Sequence, residues 1–290
     1  MPFKLKCKVH YLNAGSVQNQ TPPLVLTFGA ADPVGAAGIQ ADLACFAAMG
    51  CHGLSVITAI LISDTTGIED VQNVDADWVA DQARVLLEDM QVAAFKVGYA
   101  GNTESIAAIA EVMSDYPDIP LVLDPFATSM PESGEDAEEM LIATRELLVP
   151  QATLLLLSAV ELGRFAETWR EAAPDRTLAD DAADLIRQGC QYVFVTGMPG
   201  EMQEVTNTLF SEEGAIRQDN WQRQPGSFAG AGSTLSATIA ALLANGLDVP
   251  EAVAEAQEFN VASLAHAQRL GMGKLIPDRH FWARESDDNP

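Results

Sequence analysis

Leu24-Val-Leu-Thr-Phe28 is a mostly apolar run, followed by helical spacing over residues 35–49 and by a second run, Leu54-Ser-Val-Ile-Thr-Ala-Ile-Leu-Ile62. Runs without regular polar alternation are typical of strands buried on both faces. A helix between two such strands lets them pair in parallel, because a parallel pair needs a long crossover. This stretch therefore predicts an α/β protein with a mostly parallel sheet.

The alternation of apolar runs and helical patterns continues along the chain, which predicts helices on both faces of the sheet. Further strands are expected at residues 93–98, 121–124, 153–157 and 192–196, with an antiparallel edge at 207–210 and 214–221. Further helices are expected at residues 76–90, 138–148, 232–245 and 250–270, and from residues 102 and 178. Chemistry in such sheets gathers at the carboxyl ends of the strands. One crevice there could contain Gly29, Ser63, Tyr99, Asp124, Ser158 and Gly197.

Composition favours one domain. The chain has 290 residues, 48% of them hydrophobic, and no linker, repeat or low-complexity tract interrupts it. We expect an N-terminal extension at 1–23, a single domain at 24–282 and an acidic tail at 283–290. The four cysteines show no metal-ligand spacing and are expected to be reduced thiols in a cytoplasmic protein.

The formal charge of −25 is extreme. It argues against nucleic acid as a partner, because nonspecific nucleic-acid binding needs a basic surface. No apolar stretch is long enough for a membrane span or a signal peptide. A salt-rich cytoplasm would explain the charge, since an acidic surface stays hydrated there. An anionic substrate would meet an unfavourable long-range field that local dipoles, a metal ion or salt must offset.

Gly230-Ala-Gly-Ser233 stands directly before a helical run. Such a loop can turn several N–H groups toward one point at the positive end of a helix dipole, where anions bind. The alternative is structural: two glycines for a tight connection and a serine that caps the helix.

Several motifs, in one order, resemble the hydroxymethylpyrimidine/phosphomethylpyrimidine kinases of thiamine biosynthesis. They are Ala31-Asp-Pro-Val-Gly-Ala-Ala-Gly-Ile-Gln-Ala-Asp-Leu43, Ser55-Val-Ile-Thr-Ala59, Lys96-Val-Gly98, Val122-Leu-Asp-Pro125, Gly230-Ala-Gly-Ser-Thr-Leu-Ser236, Gly271-Met-Gly273 and His280-Phe-Trp282. The resemblance implies a three-layer α/β/α ribokinase-like fold and a homodimer. It also implies transfer of the γ-phosphate of ATP, with Mg²⁺, to the pyrimidine and then to its monophosphate.

The same resemblance assigns roles to individual residues. It places the anion hole at Gly230, Ala231, Gly232 and Ser233, and the pyrimidine pocket at Ala30, Asp42, Ser63, Tyr99 and Phe126. It places nucleotide contacts at Ser158, Thr196 and Gly197, and the metal site at Asp124 and Glu161. Each has a structural alternative. Asp42 could lie on a solvated helix face, Tyr99 and Phe126 could be ordinary packing, and Ser158-Ala-Val-Glu161 is also a capping box.

This chain departs from the family pattern at several of these positions. Ser233 stands where the family has a cysteine, and Thr196 where it has a lysine expected to reach ATP phosphates; Arg164, Arg217 and Lys274 are candidate replacements. Ala30 replaces a glycine, Ser63 a glutamine, Tyr99 a methionine and Phe126 a smaller residue. These departures leave two alternatives to a pyrimidine kinase open. One is a catalytically weak binding or regulatory protein, and the other is a kinase for another small ring such as pyridoxal.

Overall fold

A computed structural model describes residues 21–125, 135–168, 176–200 and 204–283. Phe126, Cys7, almost all of the expected N-terminal extension and nearly all of the acidic tail lie outside these residues. The described part contains one nine-stranded sheet with the strand order β3-β2-β1-β4-β5-β6-β7-β8-β9. The strands are β1 Leu24–Ala31, β2 His52–Ser63, β3 Ile68–Asn73, β4 Val92–Val97, β5 Leu121–Leu123, β6 Leu154–Ser158, β7 Tyr192–Pro199, β8 Glu204–Ser211 and β9 Gly214–Gln222.

The centre of the sheet is parallel and its two margins are antiparallel. Strands β2, β1, β4, β5, β6 and β7 pair in parallel, whereas β3, β8 and β9 add antiparallel pairs. The α-helices are α1 Gly38–Ala48, α2 Ala76–Asp89, α3 Thr103–Ser114, α4 Glu135–Ala143, α5 Ala159–Glu167, α6 Leu178–Arg187, α7 Ala231–Ala244 and α8 Val249–Ala265. Not one of these described helices combines the length and apolar character that a membrane span requires.

Alternate side chains of the buried strands point to opposite faces of the sheet and pack into two separate cores. In β1, Leu26 and Phe28 face a core shared with α2, α3, α5 and α6, whereas Val25 faces a core shared with α1, α7 and α8. Each core is built from side chains that are almost completely buried, which is why the strands carry little polar alternation. The predicted three-layer α/β/α fold is thereby confirmed.

Several predicted boundaries were wrong for identifiable reasons. Helix α1 begins at Gly38 instead of residue 35, because Gly35 and Gly38 have φ of +70° and +58°. Helix α8 ends at Ala265, not at residue 270, and the chain then forms a bridge from Gln268 to Ile276. The helix predicted at 138–148 closes with a π-helical turn at Thr144–Leu148.

Candidate active site

Two cavities share the first turn of α7 as a wall. The β1–β2 cavity is lined by seven predicted site residues: Ala30, Asp42, Ser63, Tyr99, Asp124, Gly230 and Ser233. The β7–β9 cavity is lined by four others: Thr196, Gly197, Ala231 and Gly232. Of the six residues predicted to share one crevice, Gly29, Ser63, Tyr99 and Asp124 line the β1–β2 cavity, Gly197 lines the β7–β9 cavity, and Ser158 lines neither.

The Gly230-Ala-Gly-Ser233 loop has the geometry of an anion site. Gly230 has φ +82°, and a Cβ there would lie 1.6 Å from the carbonyl oxygen of Ala36, so glycine is required. No side chain caps α7, so Ser233 is not the N-cap that the structural alternative supposed. Within the described parts of the chain, no backbone carbonyl accepts the N–H groups of Ala231, Gly232 or Ser233. These donors and the helix dipole can serve a bound anion.

Asp32 organises the loop that leads into α1. Its buried carboxylate accepts backbone N–H groups of Val34 and Ala36 at 3.0 Å and of Ala37 at 2.9 Å. It also accepts the hydroxyl of Ser63 at 2.7 Å. Ser63, a predicted pyrimidine contact, therefore lines the cavity while its hydroxyl hydrogen is directed to Asp32.

Asp42 is fully buried and forms an ion pair with Lys96. The Nζ atom of Lys96 lies 2.9 Å from Oδ1 of Asp42 and 3.0 Å from Oδ2, which also accepts the hydroxyl of Thr27 at 2.6 Å. Burial alone would lower the pKa of Lys96, but the nearby carboxylates of Asp42 and Asp124 raise it overall, so the lysine stays charged. The solvated-face alternative for Asp42 was wrong. Its contact with a pyrimidine stays a prediction.

Asp124 follows β5 and is also buried. Its Oδ2 atom accepts the hydroxyl of Ser236 at 2.7 Å. Burial raises its pKa to about 6, against the attraction of Lys96, and the charges of Glu161 and Asp42 raise it further. A carboxylate with this environment gains from a nearby cation.

Glu161 and Ser158 form the predicted capping box of α5. The Ser158 N–H donates to Oε2 of Glu161 at 2.6 Å, and the Glu161 N–H donates to the Ser158 hydroxyl at 3.2 Å. The negative charge of Glu161 raises the pKa of Asp124, so the two predicted metal residues influence each other's charge. The described residues contain no group of three or more His, Cys, Asp or Glu side chains suited to a metal. Mg²⁺ often takes only one or two protein carboxylates beside water and phosphate oxygens, so the metal site at Asp124 and Glu161 stays a prediction.

The aromatic side chain of Tyr99 lines the β1–β2 cavity. Its hydroxyl donates to the carbonyl of Gly101 at 2.9 Å, and burial raises its pKa, so it stays neutral. The ring is thus held at the cavity wall, where it can contact a flat ligand.

A hydrogen-bonded network supports the β7–β9 cavity. The Gly197 N–H donates to Asn207, whose amide donates to Gln257 at 2.8 Å. The same Gln257 oxygen accepts the indole N–H of Trp221 at 2.9 Å. The network fixes Trp221 at the cavity wall as an aromatic surface, which a purine ring could stack on.

The three charged candidates to replace the missing lysine at Thr196 occupy different places. Arg217 is held by both carboxylate oxygens of Asp219, at 2.6 and 2.8 Å. Lys274 lines the β1–β2 cavity, and Arg164 lies in the last turn of α5. None of the three lines the β7–β9 cavity beside Thr196 as the structure describes it.

Cys45 does not supply the thiol that Ser233 lacks. It is fully buried, and burial raises its pKa to about 11, so it is not a nucleophile near neutral pH. Cys51 and Cys190 are also buried, and neither forms a disulfide among the described residues.

Sequence reasoning missed the roles of Lys96 and Arg279. A lysine inside the apolar strand β4 was a usable signal, because a buried ammonium needs a partner. Arg279 lies outside any helix or strand and contacts residues more than 200 positions away, so no local pattern marked it.

The phosphomethylpyrimidine kinase family model matches residues 32–278. The hydroxymethylpyrimidine/phosphomethylpyrimidine kinase of Salmonella typhimurium is 33% identical over 261 residues, which cover 89% of this chain and 97% of that protein. The corresponding protein of Rhizobium meliloti is 34% identical over 260 residues, with the same coverage.

Solved structures give the same fold. The pyridoxal kinase of Bacillus subtilis in complex with ADP has a TM-score of 0.79 at 25% identity, covering 89% of this chain and 97% of that one. The phosphomethylpyrimidine kinase of Clostridium difficile has a TM-score of 0.68 at 25% identity, covering 82% and 98%. Because the family model spans most of the chain and curated relatives exceed 30% identity over nearly their full length, this chain belongs to the phosphomethylpyrimidine kinase family.

Proposed function

We propose that the protein transfers the γ-phosphoryl group of ATP to hydroxymethylpyrimidine and to its monophosphate. The observation that carries this proposal is the uncapped first turn of α7 between two cavities. The β1–β2 cavity takes the pyrimidine acceptor and the β7–β9 cavity takes the nucleotide. The acceptor oxygen attacks the γ-phosphorus, the bond from that phosphorus to the β,γ-bridging oxygen breaks, and ADP leaves. An alcohol acceptor also loses its proton to water, whereas an ionised phosphate acceptor has none to lose.

The loop N–H groups stabilise the charge on the transferred phosphoryl oxygens. Asp124 and Glu161 are the proposed magnesium site. The ion, when bound, neutralises phosphate charge. Asp124 contributes an oxygen that its buried position and the charge of Glu161 make favourable for a cation.

The monophosphate is the proposed better acceptor. Phosphorylating an alcohol requires removal of its proton, whereas a phosphate oxygen is largely ionised near neutral pH. Ser233 is a poor base there, and the thiol of Cys45 is buried and protonated. Phosphorylation of the alcohol therefore lacks a general base, which phosphorylation of the monophosphate does not need.

Steady-state assays of ADP formation with the alcohol, the monophosphate and pyridoxal test both proposals. We expect a larger kcat/KM for the monophosphate than for the alcohol. Ser233→Cys should lower the ratio of kcat/KM for the monophosphate to kcat/KM for the alcohol by roughly tenfold. This change is smaller than the full effect of a positioned general base. Ser233→Ala is the matched control and should leave the ratio unchanged. A wild-type protein that prefers the alcohol would refute the preference for the monophosphate.

Pyridoxal is a second candidate acceptor because a pyridoxal kinase superposes with the higher TM-score, 0.79 against 0.68. A larger kcat/KM for pyridoxal would identify that function instead. Thermal stabilisation by these ligands without ADP formation would identify a binding or regulatory protein, the alternative raised by Thr196.

A homodimer and a single domain over 24–282 are further proposals. Ile60 and Ile62, both on β2, expose more than half of their surface. An exposed apolar surface of this kind supports the proposal that a second copy of the chain packs against β2. Light scattering of the purified protein measures the assembly, and a monomeric mass at micromolar concentration contradicts it.

A further inference from the structure

Arg279 is a buried cation beside the loop of α7. Only 5% of its surface is exposed. Its guanidinium donates to the hydroxyl of Thr234 at 3.0 Å and to the carbonyls of Gly35 at 3.1 Å and Ala36 at 2.5 Å. No carboxylate among the described residues forms an ion pair with it. A buried charge of this kind needs compensation from other dipoles.

Two peptide groups provide that compensation by connecting Arg279 to Asp32. The carbonyls of Gly35 and Ala36 face the guanidinium, and the N–H groups at the other ends of the same peptides, those of Ala36 and Ala37, donate to Asp32. The peptide dipoles therefore lie between a cation and an anion in their favourable orientation. The loop therefore links the opposite charges of Asp32 and Arg279 through its peptide groups, without direct contact between the two side chains.

The same guanidinium holds the first turn of α7. The Gly230 carbonyl accepts from the Thr234 hydroxyl at 2.7 Å and lies 3.5 Å from a terminal nitrogen of Arg279. Within a trans peptide the C=O and N–H point in opposite directions. The contacts that hold the Gly230 carbonyl therefore turn the N–H of Ala231 away from Arg279.

We propose that Arg279 is a positioning residue that fixes the anion loop and adds positive potential where the transferred phosphoryl charge develops. The proposal rests on the proposed kinase function. Thr196 stands where the family resemblance places a lysine, and the charge of Arg279 adds to those of Arg223 and Lys274, which line the two cavities. A charge in a buried environment acts more strongly than one in water.

Arg279→Gln tests the proposal, with Arg84→Gln on the exposed face of α2 as the matched control. We expect kcat to fall on the order of 10–100-fold, somewhat less than for direct loss of an oxyanion donor, with KM for the acceptor changed less than about threefold. Arg279→Lys keeps the charge but replaces the planar guanidinium with a single ammonium centre, and it should lie between wild type and Arg279→Gln. If folded Arg279→Gln retains the kcat of the control, the proposal is overturned.

Two further measurements separate positioning from simple structural support. Guanidinium ions at millimolar concentration should restore part of the kcat of Arg279→Ala; a folded variant that is not rescued overturns the proposal. Titration calorimetry should also show that Arg279→Gln raises the Kd for ADP together with aluminium fluoride, which occupies the place of the transferred phosphoryl group. That increase should be at least tenfold larger than the increase in the Kd for ADP alone. Equal weakening overturns the proposal. Because this comparison needs no turnover, it tests Arg279 even if no acceptor is phosphorylated, which is the outcome that refutes the proposed function.

Discussion

Asp124 is a buried carboxylate whose ionisation opposes folding. Its pKa in the native protein is about 6, above the ordinary value of 3.8, so the native state binds the proton more tightly than the unfolded state. Stability from this group is present below pH 4, declines between pH 4 and pH 6, and is absent above. A cation bound to the ionised carboxylate would offset this loss of stability. The residue best suited to metal binding is therefore a stability liability without the metal.

Asp124→Asn should raise the free energy of unfolding at pH 8 without metal by roughly 1–3 kcal/mol, because about two pKa units separate the two states. The gain should be smaller at pH 5, and kinase activity should fall at least tenfold. Urea unfolding at both pH values measures the first effect. Asp81→Asn, on the exposed face of α2, should change neither. A variant less stable than wild type at pH 8 contradicts this account.

The Lys96–Asp42 pair is expected to stabilise only as a pair. Lys96→Met leaves a fully buried carboxylate unpaired and should cost about 3–5 kcal/mol, whereas Lys96→Met combined with Asp42→Asn should recover much of that loss. Urea unfolding of the double-mutant cycle measures the coupling. The exposed Arg84–Glu111 pair is the control, and Arg84→Met should cost less than about 1 kcal/mol. Equal costs at the two sites would show that burial of the first pair is unimportant.

At the scale of elements, α7 is flanked by two glycines, Gly230 and Gly246, whose surroundings differ. Gly230 and Gly246 have φ of +82° and +90°, but a Cβ meets the Ala36 carbonyl at 1.6 Å only at Gly230, whereas Gly246 faces open space. At Gly246 the N–H groups of Gly246 and Leu247 close a Schellman motif. The first glycine is thus required by a contact as well as by its conformation.

Gly230→Ala should therefore destabilise more than Gly246→Ala. Both should lose about 1–2 kcal/mol from the left-handed backbone, and Gly230→Ala should lose roughly 1–3 kcal/mol more from the forced contact. It should also reduce kcat at least tenfold, because the loop N–H groups shift. Thermal melts and ADP assays of the two variants measure this. Equal melting temperatures would contradict the close approach to Ala36.

The sequence predicted most elements that bury apolar runs, and the two elements that it missed, β3 and α5, carry no such run. Strand β3, Ile68-Glu-Asp-Val-Gln-Asn73, is half exposed at the sheet edge and carries no apolar run. Helix α5 was marked only by its capping box. In the candidate site, the resemblance pointed to the α7 loop, Asp42 and Asp124, which line one cavity, but it assigned no role to the side chains that contact them. Lys96 and Asp42 are 54 positions apart, and only the fold brings them together.

At the scale of the whole molecule, acidic residues far outnumber basic ones, but two of the basic residues are buried beside the site. The chain has 41 acidic residues against 16 lysines and arginines, yet Lys96 and Arg279 are both buried beside the site. The mutual repulsion of the acidic residues destabilises the compact state and repels ATP at long range. The buried cations act at short range, where solvent ions screen them little.

Added salt should therefore help both stability and catalysis. At about 0.1 M salt the screening length is roughly 10 Å, and at 1 M it is roughly 3 Å, so surface repulsion fades while the buried contacts of Arg279 persist. We expect the melting temperature and kcat/KM for ATP to rise as KCl increases over this range. Sucrose at matched osmolality is the control, because it favours compact states without screening charge. An unchanged kcat/KM with a rising melting temperature would restrict the effect of charge to folding. If neither quantity changes, the acidic surface influences neither folding nor the approach of the nucleotide.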